Sequence, residues 1–267
     1  MRLAFSTLGL PGLPVADVVE LARSNGYQGV ELRCHPEEPV HTGLGRLERA
    51  DVVEEFAKSE IEILTLASYV KVAAPGDDTP VLTELREQLA LAHDLGAAHV
   101  RVFPGAGDVP AIESDPTAVR RLAAVAPYAA DLGVRVLLET HDSHPTGKDA
   151  ARILEQVNHR STGAIWDLMH PWRAGEEPAD TLAALTAGPY LAYVQVKDAS
   201  SAEDTTPLAL GAGALPLAET LVLLTEAGWD GWLCWEYEKR WYPQAAELTK
   251  LLAPGREHLL QLLSYAS

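Results

Sequence analysis

VRVLLE (134–139), TGAIWD (162–167), LAYVQ (191–195) and GWLCWE (231–236) are four short apolar runs in the second half of the chain. Each ends in a side chain able to bind a metal: Glu139, Asp167, Gln195 and Glu236. The runs are rich in β-forming residues and bounded by glycine, proline or helical stretches, so each reads as a buried parallel strand. In a barrel of parallel strands, a polar group at the C-terminal tip of a strand lies where such barrels place their chemistry. Three carboxylates and one amide converging there predict a hard, oxygen-rich site for a divalent cation.

Outward from these runs, the whole chain alternates strand and helix. Strands are expected at 3–7, 29–33, 61–66, 98–103, 134–139, 163–167, 190–196 and 231–236. Helices are expected at 14–26, 46–60, 79–95, 115–132, 147–157, 177–187 and 215–227. A last helix is expected over 243–263, broken near Pro254-Gly255. Strict alternation forces parallel strands, and eight units favour a closed ring. A doubly wound open sheet would be expected to carry a glycine-rich first turn, and none follows LAFST. The reading is a single (β/α)8 TIM barrel, one domain over residues 1–267. Long loops are expected after strands two, three, five, six and seven, where they shape a pocket.

The bulk composition agrees. A length of 267 residues is usual for one such barrel, and 47% hydrophobic residues fit a globular protein. A net charge of −17 argues against nucleic acid and anionic membrane surfaces as partners. Cys34 and Cys234 form no CxxC pattern and read as reduced thiols. With no visible signal peptide or membrane span, the expected location is the cytoplasm.

Near the four strand ends stand further polar groups. His141 lies two residues beyond Glu139, so both can face the barrel mouth. His170 follows Asp167 by three, which suits a turn that brings it back. Lys197 and Glu238 follow Gln195 and Glu236 by two. Arg33 ends strand two and is placed either to meet an anionic group of a substrate or to pair with a neighbouring loop acid such as Glu37. Trp172 and Trp241 lie in loops and are candidates to stack on a sugar. Trp166 and Trp235 immediately precede ligands and should therefore point into the strand–helix core.

The stretches GYQGVELR, LLETH, WDLMHP, YVQVKD, the LGAG turn and DGWLCWE, in that order and spacing, resemble the sugar phosphate isomerase/epimerase family of xylose-isomerase-like TIM barrels. The resemblance spans nearly the whole chain. It implies one divalent metal, manganese first, then magnesium, cobalt or zinc, held by Glu139, Asp167, Gln195 and Glu236. It implies that Glu139 and Glu236 also act as proton-transfer bases. His141, His170, Lys197, Arg33, Trp172 and Trp241 are then candidates to surround the substrate, with His170 either contacting substrate oxygens or supporting the metal shell. A homo-oligomer is expected by analogy only. Two departures stand out. The strand-seven ligand is usually histidine and is Gln195 here, and the usual G-E-G turn is Gly211-Ala212-Gly213.

The reaction this implies is proton transfer on a sugar or related hydroxy-carbonyl compound. A metal on a carbonyl and its neighbouring hydroxyl acidifies the adjacent C–H, and a carboxylate removes the proton to give an enediolate. Three alternatives compete. One is a dehydratase or lyase step from the same enediolate. The second is a non-catalytic sugar-binding barrel. The third, a metal-dependent endonuclease of the same superfamily, is disfavoured because strands three and four end without histidine.

Overall fold

The computed structural model describes residues 1–266. The strands are β1 (Arg2–Ser6), β2 (Gly29–Arg33), β3 (Glu62–Lys71), β4 (His99–Phe103), β5 (Arg135–Glu139), β6 (Thr162–Asp167), β7 (Leu191–Val196) and β8 (Trp232–Trp235). They pair in sequence order, all parallel, and β8 closes on β1. The helices are α1 (Val15–Ser24), α2 (Arg46–Lys58), α3 (Asp78–Leu95), α4 (Ala111–Asp131), α5 (Gly147–Val157), α6 (Met169–Arg173), α7 (Pro178–Thr186), α8 (Leu217–Glu226) and α9 (Leu252–Ala266). The expected TIM barrel is thus the architecture found.

The period-two alternation of the strands divides the core into two layers. Leu137, Ile165, Tyr193, Trp232 and Cys234 pack together inside the ring. Their neighbours Leu138, Trp166, Val194, Leu233 and Trp235 pack outward against the helices. Two residues beyond the inward layer come Glu139, Asp167, Gln195 and Glu236, all buried. The apolar plug below and the strand pairing beside them, such as Asp167 opposite Gln195, fix the height of the polar layer.

Trp166 and Trp235 do point into the strand–helix layer. Trp235 lies so close to α9 that a Cβ on Gly255 would meet its ring at 2.1 Å, which explains a glycine inside that helix. Pro254 does not break α9. It sits in the first turn, where its missing N–H has no helical partner to lose, and residues 243–247 ahead of it are not helical. Three other boundaries differ from expectation. β3 continues through Ala67-Ser68-Tyr69 to Lys71, because its pairing with β4 shifts register and resumes at Lys71 opposite Phe103. α4 begins at Ala111. A short helix, α6, occupies part of the loop expected at 168–176.

Candidate active site

The mouth of the barrel holds Glu139, Asp167, Gln195, Glu236 and Glu238 together, and threads two basic side chains between them. Lys197 Nζ donates to Asp167 Oδ2 at 2.7 Å, to Glu238 Oε1 at 3.0 Å and to Glu236. Arg101, from the middle of β4, donates through Nη1 to Glu139 Oε2 at 2.9 Å, and the same nitrogen is 3.7 Å from Glu236 Oε1. Its other nitrogens bond the Ser68 carbonyl. Below them Glu31 of β2 accepts from Tyr193 Oη and from Gln195 Nε2 at 3.2 Å. That amide nitrogen also reaches Glu236 Oε1 at 3.1 Å.

Charge is unbalanced here. Glu31, Glu139, Asp167, Glu236 and Glu238 face two fixed cations, Arg101 and Lys197. Burial pushes the Glu139 carboxyl up to about 8, against the pull of Arg101 and with the help of Glu236. Burial and Glu236 raise Glu31 in the same way. Burial works against a charged Lys197, but Asp167, Glu236 and Glu238 outweigh it and hold the ammonium well above its ordinary value. Burial keeps the His170 imidazole well below its ordinary value, with His141 adding to the effect. Buried carboxylates in excess of their cations are the arrangement a divalent ion resolves.

The residues present fit such an ion on an independent ground. Gln195 Oε1 is buried and accepts no hydrogen bond. Its partner nitrogen is spent on Glu31 and Glu236, so the amide is oriented with a bare acceptor oxygen. Neither oxygen of Asp167 is bare: Oδ1 accepts from the Met169 N–H at 2.8 Å, and Oδ2 takes Lys197. Among the described residues, the group of three or more His, Cys, Asp or Glu side chains whose ligand atoms all lie within 4.8 Å of one another is Glu139, His141 and His170. That group shares only Glu139 with the expected quartet.

A cavity of about 230 Å³ opens above this floor, lined by Tyr69, Arg101, Phe103, Glu139, His141 and Trp241 among others. A second, more open cavity of about 660 Å³ adjoins it at His141 and is lined by His170 and Arg173. Trp241 is 52% exposed at the rim, as expected of a stacking residue. Trp172 is not at the rim. It packs with Trp166, Pro171 and Pro178 in the layer outside the strands, because α6 turns its ring away from the mouth. Arg33 is not free for an anion either. It is buried against Glu38 and donates to Tyr69 Oη at 2.7 Å, while Glu37 is taken by Arg240.

Reasoning from strand ends missed Arg101, Glu31 and Tyr69. Arg101 and Glu31 are charges in the middle of the short strand runs HVRVF and GVELR, flanked on both sides by apolar residues, and that oddity was the available signal. The glycine turn at 211–213 has its own explanation. The Gly211 and Gly213 N–H groups both donate at 2.9 Å to the buried Asp198 carboxylate. A Cβ on Gly213 would lie 2.3 Å from that carboxylate. The loop after β7 is thereby tied down beside Lys197 without the usual glutamate.

The model of the xylose isomerase-like TIM barrel family matches residues 19–261. No curated protein matches the sequence. Several solved structures share the fold. The probable 3-DHS dehydratase AsbF of Bacillus anthracis, involved in petrobactin synthesis, is 18% identical with a TM-score of 0.80, over 97% of this chain and 99% of that one. The IOLI protein with a binding zinc atom is 20% identical with a TM-score of 0.82, over 100% and 99%. D-psicose 3-epimerase, solved in the presence of D-fructose, is 13% identical with a TM-score of 0.83, over 98% and 99%.

Proposed function

Because the chain belongs to the xylose isomerase-like TIM barrel family, we propose that it is a divalent-metal-dependent isomerase or epimerase of a small sugar or related hydroxy-carbonyl compound. The observation that carries this is the surplus of buried carboxyls, with Gln195 Oε1 left unpartnered beside them and Glu139, Glu236 and Glu238 lining a cavity. Glu139, Asp167, Gln195 and Glu236 would hold the ion, and three carboxylates with one amide oxygen suit manganese or magnesium. When bound, the ion supplies polarisation of the substrate carbonyl and the neighbouring hydroxyl, which acidifies the C–H beside them.

The rest is the work of the chain itself. Glu139 ends β5 and Glu236 directly follows β8, with Arg101 between them, so their carboxylates face the cavity from two sides. One takes the proton from carbon. Its return to the neighbouring carbon, with the hydroxyl proton passing to the former carbonyl oxygen, isomerises the substrate, and delivery of a proton by the other carboxyl to the opposite face of the same carbon epimerises it. Arg101 and Lys197 keep the carboxylates in place between turnovers. Tyr69, Phe103 and Trp241 offer apolar faces to the C–H side of a sugar. A cavity of 230 Å³ has room for the equivalent of roughly eight waters, which suits a monosaccharide-sized polyol. One observation favours dehydration as the second reading: His141 and His170 stand beside Glu139, where an imidazolium can protonate a departing hydroxyl.

The test is incubation of the manganese-loaded protein with free ketopentoses and ketohexoses, followed by proton NMR. The expected product is an isomer or epimer of equal mass, and Glu139→Gln or Glu236→Gln should slow its formation by about 100-fold or more. A product that has lost water supports the dehydratase. No turnover of any ketose, with binding intact in both variants, leaves a binding barrel.

A further inference from the structure

We propose that Glu238 is a specificity-determining residue, whose free carboxylate oxygen accepts hydrogen bonds from neighbouring hydroxyls of a polyol. The inference rests on the reading above in placing the substrate in the cavity of about 230 Å³, and it is independent of which carbon reacts. Alternation continues past the end of β8. Trp235 and Tyr237 pack outward, edge to face at 5.9 Å, while Glu236 and Glu238 both line the cavity. The backbone here is braced. A Cβ on Gly9 would lie 3.0 Å from the Tyr237 carbonyl oxygen, the Arg240 N–H donates to the Leu8 carbonyl at 3.2 Å, and the Trp241 N–H donates to the Glu238 carbonyl at 3.0 Å. Glu238 therefore stands on a fixed turn, with Trp241 on the same lip three residues on.

The carboxylate itself is half used. Lys197 Nζ donates to Oε1 at 3.0 Å, and among the described residues Oε2 has no hydrogen-bond partner. Of the three carboxylates around that ammonium, Glu238 is the one that reaches open space. Its side chain is 17% exposed, against 1% for Asp167 and 4% for Glu236. A carboxylate oxygen has lone pairs for more than one donor, and its bonds to hydroxyls are charge-assisted. The neighbouring indole offers a face to C–H groups. An acceptor for hydroxyls beside an aromatic face matches the two kinds of surface that a polyol presents.

The charges around this end favour hydroxyl donors over anions. Arg101 lines the cavity, but its guanidinium is spent on Glu139 and on the Ser68 carbonyl. Arg33 is held by Glu38, and Arg240 by Glu37. Glu139, Glu236 and Glu238 line the same space, so a phosphate or carboxylate beside Glu238 would meet acceptors and like charge. The simpler account makes Glu238 only the third acceptor for the Lys197 ammonium. That account uses Oε1 alone, and it predicts that changing the other oxygen alters the binding of no ligand.

Glu238→Gln separates the two. Lys197 is a donor only, so it keeps the amide oxygen at the Oε1 position and places an NH₂ where Oε2 was. The ammonium keeps its partner and the ligand loses its acceptor. The experiment titrates the magnesium-loaded full-length protein with ribitol, which has no carbonyl to turn over, and reads the dissociation constant by saturation-transfer NMR. Circular dichroism checks that the variant is folded. Wild type should bind ribitol, and Glu238→Gln should bind it about 10–100-fold more weakly. Monodeoxy pentitols complete the cycle: removing a hydroxyl that Glu238 holds should narrow the difference between wild type and variant. No binding of ribitol by wild type, an unchanged constant in Glu238→Gln, or the same loss for every deoxy analogue overturns the proposal. If ribitol binding depends on Glu238 but no ketose is turned over, the isomerase reading fails and the polyol contact stands. If a ketose is turned over while ribitol binding ignores Glu238, the reverse holds.

Discussion

Behind the barrel wall, between α4 and α5, Asp115 takes both Arg152 and His144 Nε2, the latter at 3.0 Å. Arg152 Nη1 goes on to Asp149 at 2.8 Å, and Thr146 closes the set on Asp149. At the mouth, a more deeply buried cluster has five carboxyls to two cations, a bare amide oxygen and a cavity above it. In the first cluster each charged group meets an opposite charge or a hydrogen bond, so nothing is left for a ligand to do. In the second the electrostatic account stays open. Burial alone therefore does not mark a functional site. Unmet demand does, because leaving a buried polar or charged group unsatisfied costs stability unless something else returns the difference.

The largest effect should come from opening the closed cluster. Asp115→Ala removes the carboxylate shared by Arg152 and His144, leaving Arg152 with Asp149 alone, and should cost about 3 kcal/mol by urea denaturation. Glu139→Gln, which removes one of the surplus carboxylates, should leave the metal-free protein as stable as before or up to about 1 kcal/mol more stable. Equal losses in both variants would erase the distinction between the clusters.

The next effect concerns metal. Manganese at 100 times its dissociation constant should add about 2.7 kcal/mol, or roughly 5–10 °C in melting temperature for a chain of this size. A chelator should reverse the gain, and Asp167→Asn should remove most of it. A melting temperature indifferent to manganese would mean the open cluster is not open to cations.

Gln195 sharpens the comparison further. Gln195→Leu should weaken manganese by about 10–100-fold, and Gln195→His should tighten zinc or cobalt, which prefer imidazole nitrogen. Calorimetric titration reads both. Unchanged affinity in Gln195→Leu would leave three protein ligands at that position.

The smallest effect is the acid response of the closed cluster. Burial opposes ionisation of Asp115, but Arg152 and His144 outweigh it and hold the carboxyl below its ordinary value. Its contribution is then full above the unfolded value, about 3.9, and fades as pH falls through the folded one. The stability gap between wild type and Asp115→Ala should accordingly be constant near neutrality and narrow below about pH 4. A gap that holds unchanged to pH 2 would contradict the pairing.

The sequence made the barrel legible because glycine stops and β-rich runs recur in strict order, and because alternation places Glu139, Asp167, Gln195 and Glu236 on one layer. It also placed Trp166 and Trp235 correctly, since each sits one residue before an inward carboxylate. Arg101 and Glu31 were hidden by their position inside strands, and their partners lie far off in sequence, 38 residues away on the next strand for Arg101 and 164 across the ring for Glu31. Arg33, open to a substrate anion or a loop acid, takes the loop acid Glu38, and Trp172 turns away from the mouth. Their roles depend on how the loops at 34–45 and 168–176 turn, and local periodicity carries no information about that.

The central claim is proton transfer to and from carbon under metal control. It is tested most directly by turning over a ketose with the manganese-loaded protein in deuterated water and locating the label by NMR. The account predicts deuterium at the carbon next to the carbonyl, lost on chelation and lost in Glu139→Gln. An isomerised product carrying no solvent deuterium, or exchange that persists without metal, would contradict it.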